Sequence, residues 1–277
     1  MNLLLEAGAD VNACANLPDD DDDFYDQPPL SFACENAHPD VVATLLHHNA
    51  DVNKRSTENR SPLELAAGSE NAHDEALVDV VQQLIQAGAS LDTFDDEENP
   101  LIRAAMAGHV QVTRELLAAG SDPDWSKASN GETALYVACS EGHAAVVEEL
   151  SAHSSELNVR KTSTCETALY IACSKGHLDV VKVLLAAGVD ACEKQNTVPR
   201  TGEFSVAGWA VCCSLTSVVA GYYPLYIAAS NGHAEVVDEL QRSGCSISTL
   251  TTNKDTPLII AGALPCSSLS LSEWRSN

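Results

Sequence analysis

Aromatic residues are scarce in this chain, at 5 % of 277 residues, while alanine, leucine and valine are abundant. That shortage speaks against a β-sandwich and for small, close-packed helices. Basic residues are scarcer still: 15 Lys and Arg stand against 40 Asp and Glu, a formal net charge of −25. A phosphate backbone wants a basic face, so nucleic acid is not an expected partner. An anionic membrane surface is disfavoured for the same reason. Long apolar runs are missing too. The stretch from Phe204 to Tyr223 is uncharged, but it carries Ser, Thr, Gly and Cys and is barely membrane length, so no span is expected. The start, Met1-Asn2-Leu3-Leu4-Leu5-Glu6, has no basic n-region and no long apolar core, so no signal peptide is expected. Ten cysteines follow no secreted disulfide framework, and reduced thiols in the cytoplasm or nucleus are expected. No G-x-G-x-x-G, P-loop, G-x-S-x-G or H-E-x-x-H occurs. The sequence names no catalytic residue, no cofactor and no metal site.

What the chain does contain is a repeat. The strings Pro29-Leu30-Ser31-Phe32-Ala33, Pro62-Leu63-Glu64-Leu65-Ala66, Pro100-Leu101-Ile102-Arg103-Ala104, Ala134-Leu135-Tyr136-Val137-Ala138, Ala168-Leu169-Tyr170-Ile171-Ala172, Pro224-Leu225-Tyr226-Ile227-Ala228 and Pro257-Leu258-Ile259-Ile260-Ala261 align on their leucines, which lie 33, 38, 34, 34, 56 and 33 residues apart. Seven and eight residues after the leucine comes Gly-His, at Gly108-His109, Gly142-His143, Gly176-His177 and Gly232-His233, with Ala37-His38 as a variant. A β-branched pair follows at 11 and 12, for example Val146-Val147 and Val180-Val181, and a glycine closes the unit at Gly120, Gly188 and Gly244. Asn49 holds that closing place in the first full unit, and asparagine tolerates a left-handed backbone second only to glycine.

Each position has a physical role. Thr133, Thr167 and Thr256 can cap a helix whose first turn begins with Ala or Pro. That helix is short and ends at the glycine of Gly-His. A second helix follows, and in the fifth unit its apolar stripe reads Val180, Val181, Leu184 and Leu185.

The pattern resembles the ankyrin repeat, which runs Thr-Pro-Leu-His-x-Ala-Ala-x-x-Gly-His and then Val-Val-x-Leu-Leu-Leu-x-x-Gly-Ala-x-Val-Asn. Ala7-Gly8-Ala9-Asp10-Val11-Asn12 and Asn49-Ala50-Asp51-Val52-Asn53 match its final segment. The resemblance implies an all-α fold, an ankyrin-repeat α-solenoid of helix–turn–helix units joined by β-hairpin-like loops. The expected layout is an array over 1–262: a half repeat 1–13, about six units over 27–253 and a truncated unit 254–262, with a Ser-rich tail at 263–277. Solenoid ends need polar caps, so either the ends fray or the chain is a piece of a longer protein. Three insertions break the phase. Leu17 to Asp23, with five consecutive aspartates, reads as a solvated loop. A second, around Asn71 to Ala76, replaces Gly-His in its unit. The third, about 196–220, includes Trp209 and Cys212-Cys213 without helical periodicity. It is either a functional loop or, the favoured reading, sequence not selected with the array, such as an unspliced intron.

Cys34 and His38, Cys139 and His143, and Cys173 and His177 each form Cys-x-x-x-His. Ligand or nucleophile pairs look like this, but each Cys stands where the ankyrin pattern buries an alanine, and each His at the structural Gly-His position. Core packing is therefore expected. His47-His48 is placed at the end of a second helix, where a cationic ring suits the dipole. Tyr136, Tyr170 and Tyr226 replace the usual His, and each ring is expected to pack along a helix start with its hydroxyl at the surface.

In the family, partners bind on a concave face made of hairpin tips and the outward residues of each first helix. The resemblance carries this onto Asp95, Asp96, Glu98, Met106, Ser129, Asn130, Glu132, Ser140, Glu141, Ser163, Thr164, Glu166, Ser174, Lys175, Ser230 and Asn231. These residues vary between units while the positions beneath them do not. The expectation is a monomeric, cytoplasmic or nuclear interaction module. Its partner is another protein, with a basic segment the natural complement to the acidic surface. The alternative is a targeting fragment of a larger multidomain enzyme, a kinase or ubiquitin-ligase component, whose active domain lies outside this chain.

Overall fold

The computed structural model describes residues 2–18, 24–56, 58–69, 74–91, 99–162, 164, 166–191 and 224–245. The chain forms two compact units, Met1–Ser129 and Asn130–Asn277.

The first unit contains α1 (Asn2–Glu6), a two-stranded antiparallel hairpin of β1 (Ala15–Pro18) and β2 (Phe24–Gln27), and three helix pairs. These are α2 (Pro29–Glu35) with α3 (Pro39–His47), α4 (Pro62–Ala67) with α5 (Asp74–Gln86), and α6 (Pro100–Ala107) with α7 (Val110–Ala118). The second unit holds α8 (Ala134–Glu141) with α9 (Ala144–His153), α10 (Ala168–Lys175) with α11 (Leu178–Ala186), and α12 (Pro224–Ser230) with α13 (Ala234–Arg242). Within each unit first helices pack on first helices and second on second: α2, α4 and α6 in one layer with α3, α5 and α7 in the other, then α8, α10 and α12 opposite α9, α11 and α13. Short amphipathic helices are marginal alone, and this two-layer stacking is what gives each apolar stripe a partner.

The repeat leucines are the centre of both cores. Leu30, Leu63, Leu101, Leu135, Leu169 and Leu225 are all at most 3 % exposed, each contributing about 1.5–3 kcal/mol by burial. Val180, Val181 and Leu184 are fully buried as the stripe predicts, while Leu185 at its edge is half-buried. Thr133 and Thr167 accept from the backbone N–H of Tyr136 and Tyr170 at 3.2 Å. The same job falls to Asn99, which accepts from Ile102, and to Ser61, which forms a reciprocal capping box with Glu64. Thr256 lies outside the described residues.

Two expectations for the insertions change. Leu17 does not open a loop: it pairs with Tyr25 and Pro18 with Phe24 in the hairpin, because two extended segments face each other across the aspartate run. Residues 19–23 lie outside the described residues. The described part of the second insertion is helix. Asp74, Glu75 and Ala76 extend α5 to 13 residues, where the other second helices have 9 or 10. The segment 196–220, the final unit and the tail lie outside the described residues.

Gly-His joins one repeat to the next. Gly176 has φ +79°, a conformation that costs an L-residue about 1–2 kcal/mol. An ideal Cβ at 176 would stand 2.4 Å from Nδ1 of His233, and one at 142 would stand 2.9 Å from His177. Each glycine thus opens a seat for the histidine of the following unit. In that seat His177 and His233 each place Nε2 on a main-chain carbonyl, Ser140 O at 3.1 Å and Ser174 O at 3.0 Å. His109 does the same to Ser69 O at 2.8 Å in the first unit.

Candidate partner-binding surface

Three pairs of neighbouring residues mark the outward ends of the first helices in the second unit. Ser140 and Glu141 close α8, Ser174 and Lys175 close α10, and Ser230 closes α12 with Asn231 just beyond. Their serines are half-buried, whereas Glu141, Lys175 and Asn231 are exposed. The pairs are joined laterally. Lys175 Nζ lies 3.5 Å from Glu141 Oε1, and Asn231 Nδ2 donates to Ser174 O at 2.7 Å. Beneath this row Ala138, Ala172 and Ala228 are fully buried. A rigid small-residue floor therefore carries a row of short polar side chains.

The loops before α8 and α10 form the neighbouring edge. Asn130 Oδ1 accepts from Glu132 N–H at 2.9 Å, and Thr162 N–H donates to Asn130 O at 2.9 Å. Glu132 and Glu166, which the sequence places on the outward row, are largely engaged within the protein. Lys161 Nζ lies 2.5 Å from Glu132 Oε1 and 5.2 Å from the Tyr136 ring centroid. Glu166 Oε2 accepts from Tyr136 Oη and from Thr164 Oγ1, both at 2.8 Å. The Tyr136 ring packs as expected at 7 % exposure, but its hydroxyl is bound to Glu166 in the next loop instead of standing in solvent. Burial, and then the hydrogen bond to Glu166, push this phenol well above its ordinary range.

Lys161 is not among the residues the repeat pattern marks for binding, though the sequence carries a signal for it. A basic residue recurs six positions before the helix cap at Arg55, Lys127 and Lys161. In the first unit Arg55 reaches Glu64 at 3.6 Å, so the same phase places a cation beside the residue that follows the repeat leucine. Glu64 is 4 % exposed, and burial holds its carboxyl above the ordinary carboxylate value against the opposing effects of Ser61 and Arg55.

Of the remaining candidates, Met106 on α6 is 38 % exposed, and Ser129 is exposed at the end of the first unit. Asp95, Asp96, Glu98 and Ser163 lie outside the described residues. Cys34, Cys139 and Cys173 are fully buried, and burial raises each thiol far above its ordinary range. They are core residues, as the alanine-like register implies. Among the described residues no group of three or more His, Cys, Asp and Glu could hold a metal ion, and no helix is long and apolar enough to cross a membrane. His47 and His48 meet edge to face, centroids 5.6 Å apart, at the end of α3.

The family model described as ankyrin repeats (3 copies) matches residues 1–95, 30–125, 71–161 and 101–195, and the single ankyrin-repeat model matches 220–254. The chain belongs to the ankyrin-repeat family. Its fold is the all-α ankyrin-repeat α-solenoid that the residue pattern implies. The ankyrin repeat domain of human ASB11 is similar in fold, with a TM-score of 0.67 at 21 % identity over 87 % of this chain and 94 % of that one. Among curated proteins, the ankyrin repeat and KH domain-containing protein mask-1 of Caenorhabditis elegans is 30 % identical over 138 residues, 50 % of this chain. Alpha-latrocrustotoxin-Lt1a of Latrodectus tredecimguttatus is 34 % identical over 98 residues, 35 % of this chain. The matches span only 4 % and 6 % of those two proteins. Ankyrin repeats are in general protein–protein interaction modules.

Proposed function

We propose that the array holds a partner protein along the row formed in the second unit by Ser140, Glu141, Ser174, Lys175, Ser230 and Asn231, with Asn130 and Thr164 at its loop edge. The observation that carries this reading is the contrast between row and floor. The alanines beneath are identical, while the side chains above them change from Glu to Lys to Asn at one repeat position. A scaffold that fixes spacing and varies chemistry suits recognition of an extended segment. Met106 and Ser129 play the same part in the first unit, and Asp95, Asp96, Glu98 and Ser163 belong to the same proposed set by their place in the repeat.

The net charge of −25 favours a basic or amide-rich partner segment, and disfavours nucleic acid and anionic membranes. We further read the chain as a monomer acting in the cytoplasm or nucleus, with its array over 1–262, an insertion at about 196–220 and a tail at 263–277. The family matches stop at 195 and resume at 220, which supports that placement of the insertion. The great length of the curated relatives favours a second reading: the array as the targeting part of a larger enzyme, such as a kinase or ubiquitin-ligase component.

The test compares two double variants in titrations with basic and acidic peptide libraries. Ser140→Arg with Ser230→Arg alters the row. Asp179→Arg with Asp238→Arg alters exposed positions on the second helices. The expected result is preferential capture of basic peptides, lost in the first variant and kept in the second. Loss only in the second moves the binding face to the second helices.

A further inference from the structure

The second unit contains two Asn-Gly pairs, Asn130-Gly131 and Asn231-Gly232, and their surroundings differ in the respect that decides the chemistry of that sequence. The backbone nitrogen of a residue after asparagine can attack the asparagine side-chain carbonyl. Glycine in that place removes the Cβ that obstructs ring closure and frees the torsions the ring needs. Whether a folded chain allows the reaction depends on what holds the nucleophile, the carbonyl and the leaving amide.

At Asn231 all the mobile parts are held. The nucleophile N–H of Gly232 donates to Ala229 O at 3.2 Å, and Asn231 N–H donates to Ile227 O at 3.0 Å, both in the last turn of α12. The leaving amide is fixed as well, since Nδ2 donates to Ser174 O at 2.7 Å and to Ser174 Oγ at 3.2 Å. At Asn130 the arrangement is reversed. Gly131 N–H and Asn130 Nδ2 have no hydrogen-bond partner among the described residues. The electrophile alone is engaged: Asn130 Oδ1 accepts from Glu132 N–H at 2.9 Å. That contact polarises the Cγ carbonyl and stabilises negative charge on its oxygen, as an oxyanion donor does. Gly131 cannot be replaced without disturbing the loop. Its φ is +74°, and an ideal Cβ there would stand 2.6 Å from Thr162 N.

We infer that Asn130 is a site of spontaneous deamidation in the folded protein and that Asn231 is protected. The Gly131 nitrogen bonds to Asn130 Cγ, the Cγ–Nδ2 bond breaks, and ammonia leaves with the proton that the Gly131 amide gives up. Water then opens the cyclic imide at one of its two carbonyls. Opening at Cγ yields aspartate at 130, and opening at the α-carbonyl yields isoaspartate, with the backbone rerouted through Cγ. No oxidant or reductant is required. The isoaspartate route has a structural consequence. The Asn130 main-chain carbonyl that accepts Thr162 N–H at 2.9 Å becomes a free carboxylate, so the bond tying the loop before α8 to the loop before α10 is rebuilt around a new charge next to Glu132. The modified loop is the substrate class of an isoaspartyl carboxyl methyltransferase.

The experiment ages the purified full chain at neutral and mildly alkaline pH and locates each product by peptide mass spectrometry with fragmentation that separates aspartate from isoaspartate. An isoaspartyl methyltransferase with labelled methyl donor gives the second readout. The expected result is conversion at Asn130 at least about tenfold faster than at Asn231, faster at alkaline pH, and a methyl acceptor that Asn130→Gln removes. In denaturant the two sites should convert at similar rates, because both hold Asn-Gly. Folded chain in which Asn231 converts as fast as Asn130, or in which Asn130 stays intact while the denatured chain converts, overturns the proposal.

Discussion

Replacing Gly176 with alanine separates two costs that meet at one atom. The backbone there has φ +79°, and holding an L-residue in that conformation costs about 1–2 kcal/mol. Part returns, because alanine restricts the unfolded chain by about 0.4–1 kcal/mol relative to glycine. The new Cβ also stands 2.4 Å from His233 Nδ1, so the ring has to leave its seat. Its Nε2 contact with Ser174 O at 3.0 Å then goes, a further loss of about 0.5–1.5 kcal/mol. The expected total is about 1–3 kcal/mol. Gly188 is the internal control. Its φ is +90° and nothing lies within 4 Å of an ideal Cβ, so Gly188→Ala should cost only the backbone part, about 0–1.5 kcal/mol. The assay is urea unfolding followed by far-ultraviolet circular dichroism, in the wild-type and His233→Ala backgrounds. With the ring gone, Gly176→Ala should fall to the cost of Gly188→Ala, a coupling of about 1 kcal/mol. Equal costs at 176 and 188 in the wild-type background, or no coupling to His233, would refute the seat-and-ring reasoning.

Three further outcomes follow from the same contacts. Glu132→Lys with Glu166→Lys should destabilise the second unit by about 1–3 kcal/mol, since Lys161 would face a like charge and Tyr136 would lose its acceptor; an unchanged urea midpoint contradicts this. Cys139→Ala should cost about 1–2 kcal/mol, as for one small buried group, and Cys173→Ala the same, with bound-metal content unaffected by elemental analysis. At Glu64 the folded carboxyl titrates above its ordinary value of 4.5, so between those two values the folded state holds a proton that the unfolded chain has released. Stability therefore falls as pH rises through that window. Glu64→Gln keeps the capping geometry and should flatten the dependence, checked by urea midpoints at acidic and neutral pH; an unchanged slope removes Glu64 as the cause.

The repeat was legible because its signals are local and redundant. Leu30 and its described equivalents, Thr133 and Thr167, and the Gly-His steps each have one physical job, and the structure gives them that job. The buried register of Cys139 and Cys173 followed from the same phase. The engagement of Glu132 and Glu166 was not legible, because it depends on Lys161 crossing from one loop to the next and on the reach of the Tyr136 hydroxyl. Position in a repeat says which way a backbone faces, and says little about which long side chains meet across it. The extension of α5 by Asp74, Glu75 and Ala76 was hidden for a related reason. An insertion is visible as a break in spacing, but whether it loops out or lengthens a helix is decided by the turn it joins. The polar row at 140–141, 174–175 and 230–231 stands out in the sequence by the contrast between varying and fixed positions, and its part in binding is the proposal.

The most direct test of the binding face is chemical-shift mapping of the isotopically labelled array, titrated with a basic peptide selected for binding to it. The expected perturbations cluster at Ser140, Glu141, Ser174, Lys175, Ser230 and Asn231 and at the adjoining loop around Asn130. Perturbations confined to the exposed positions of α9, α11 and α13, with that row silent, would contradict the assignment.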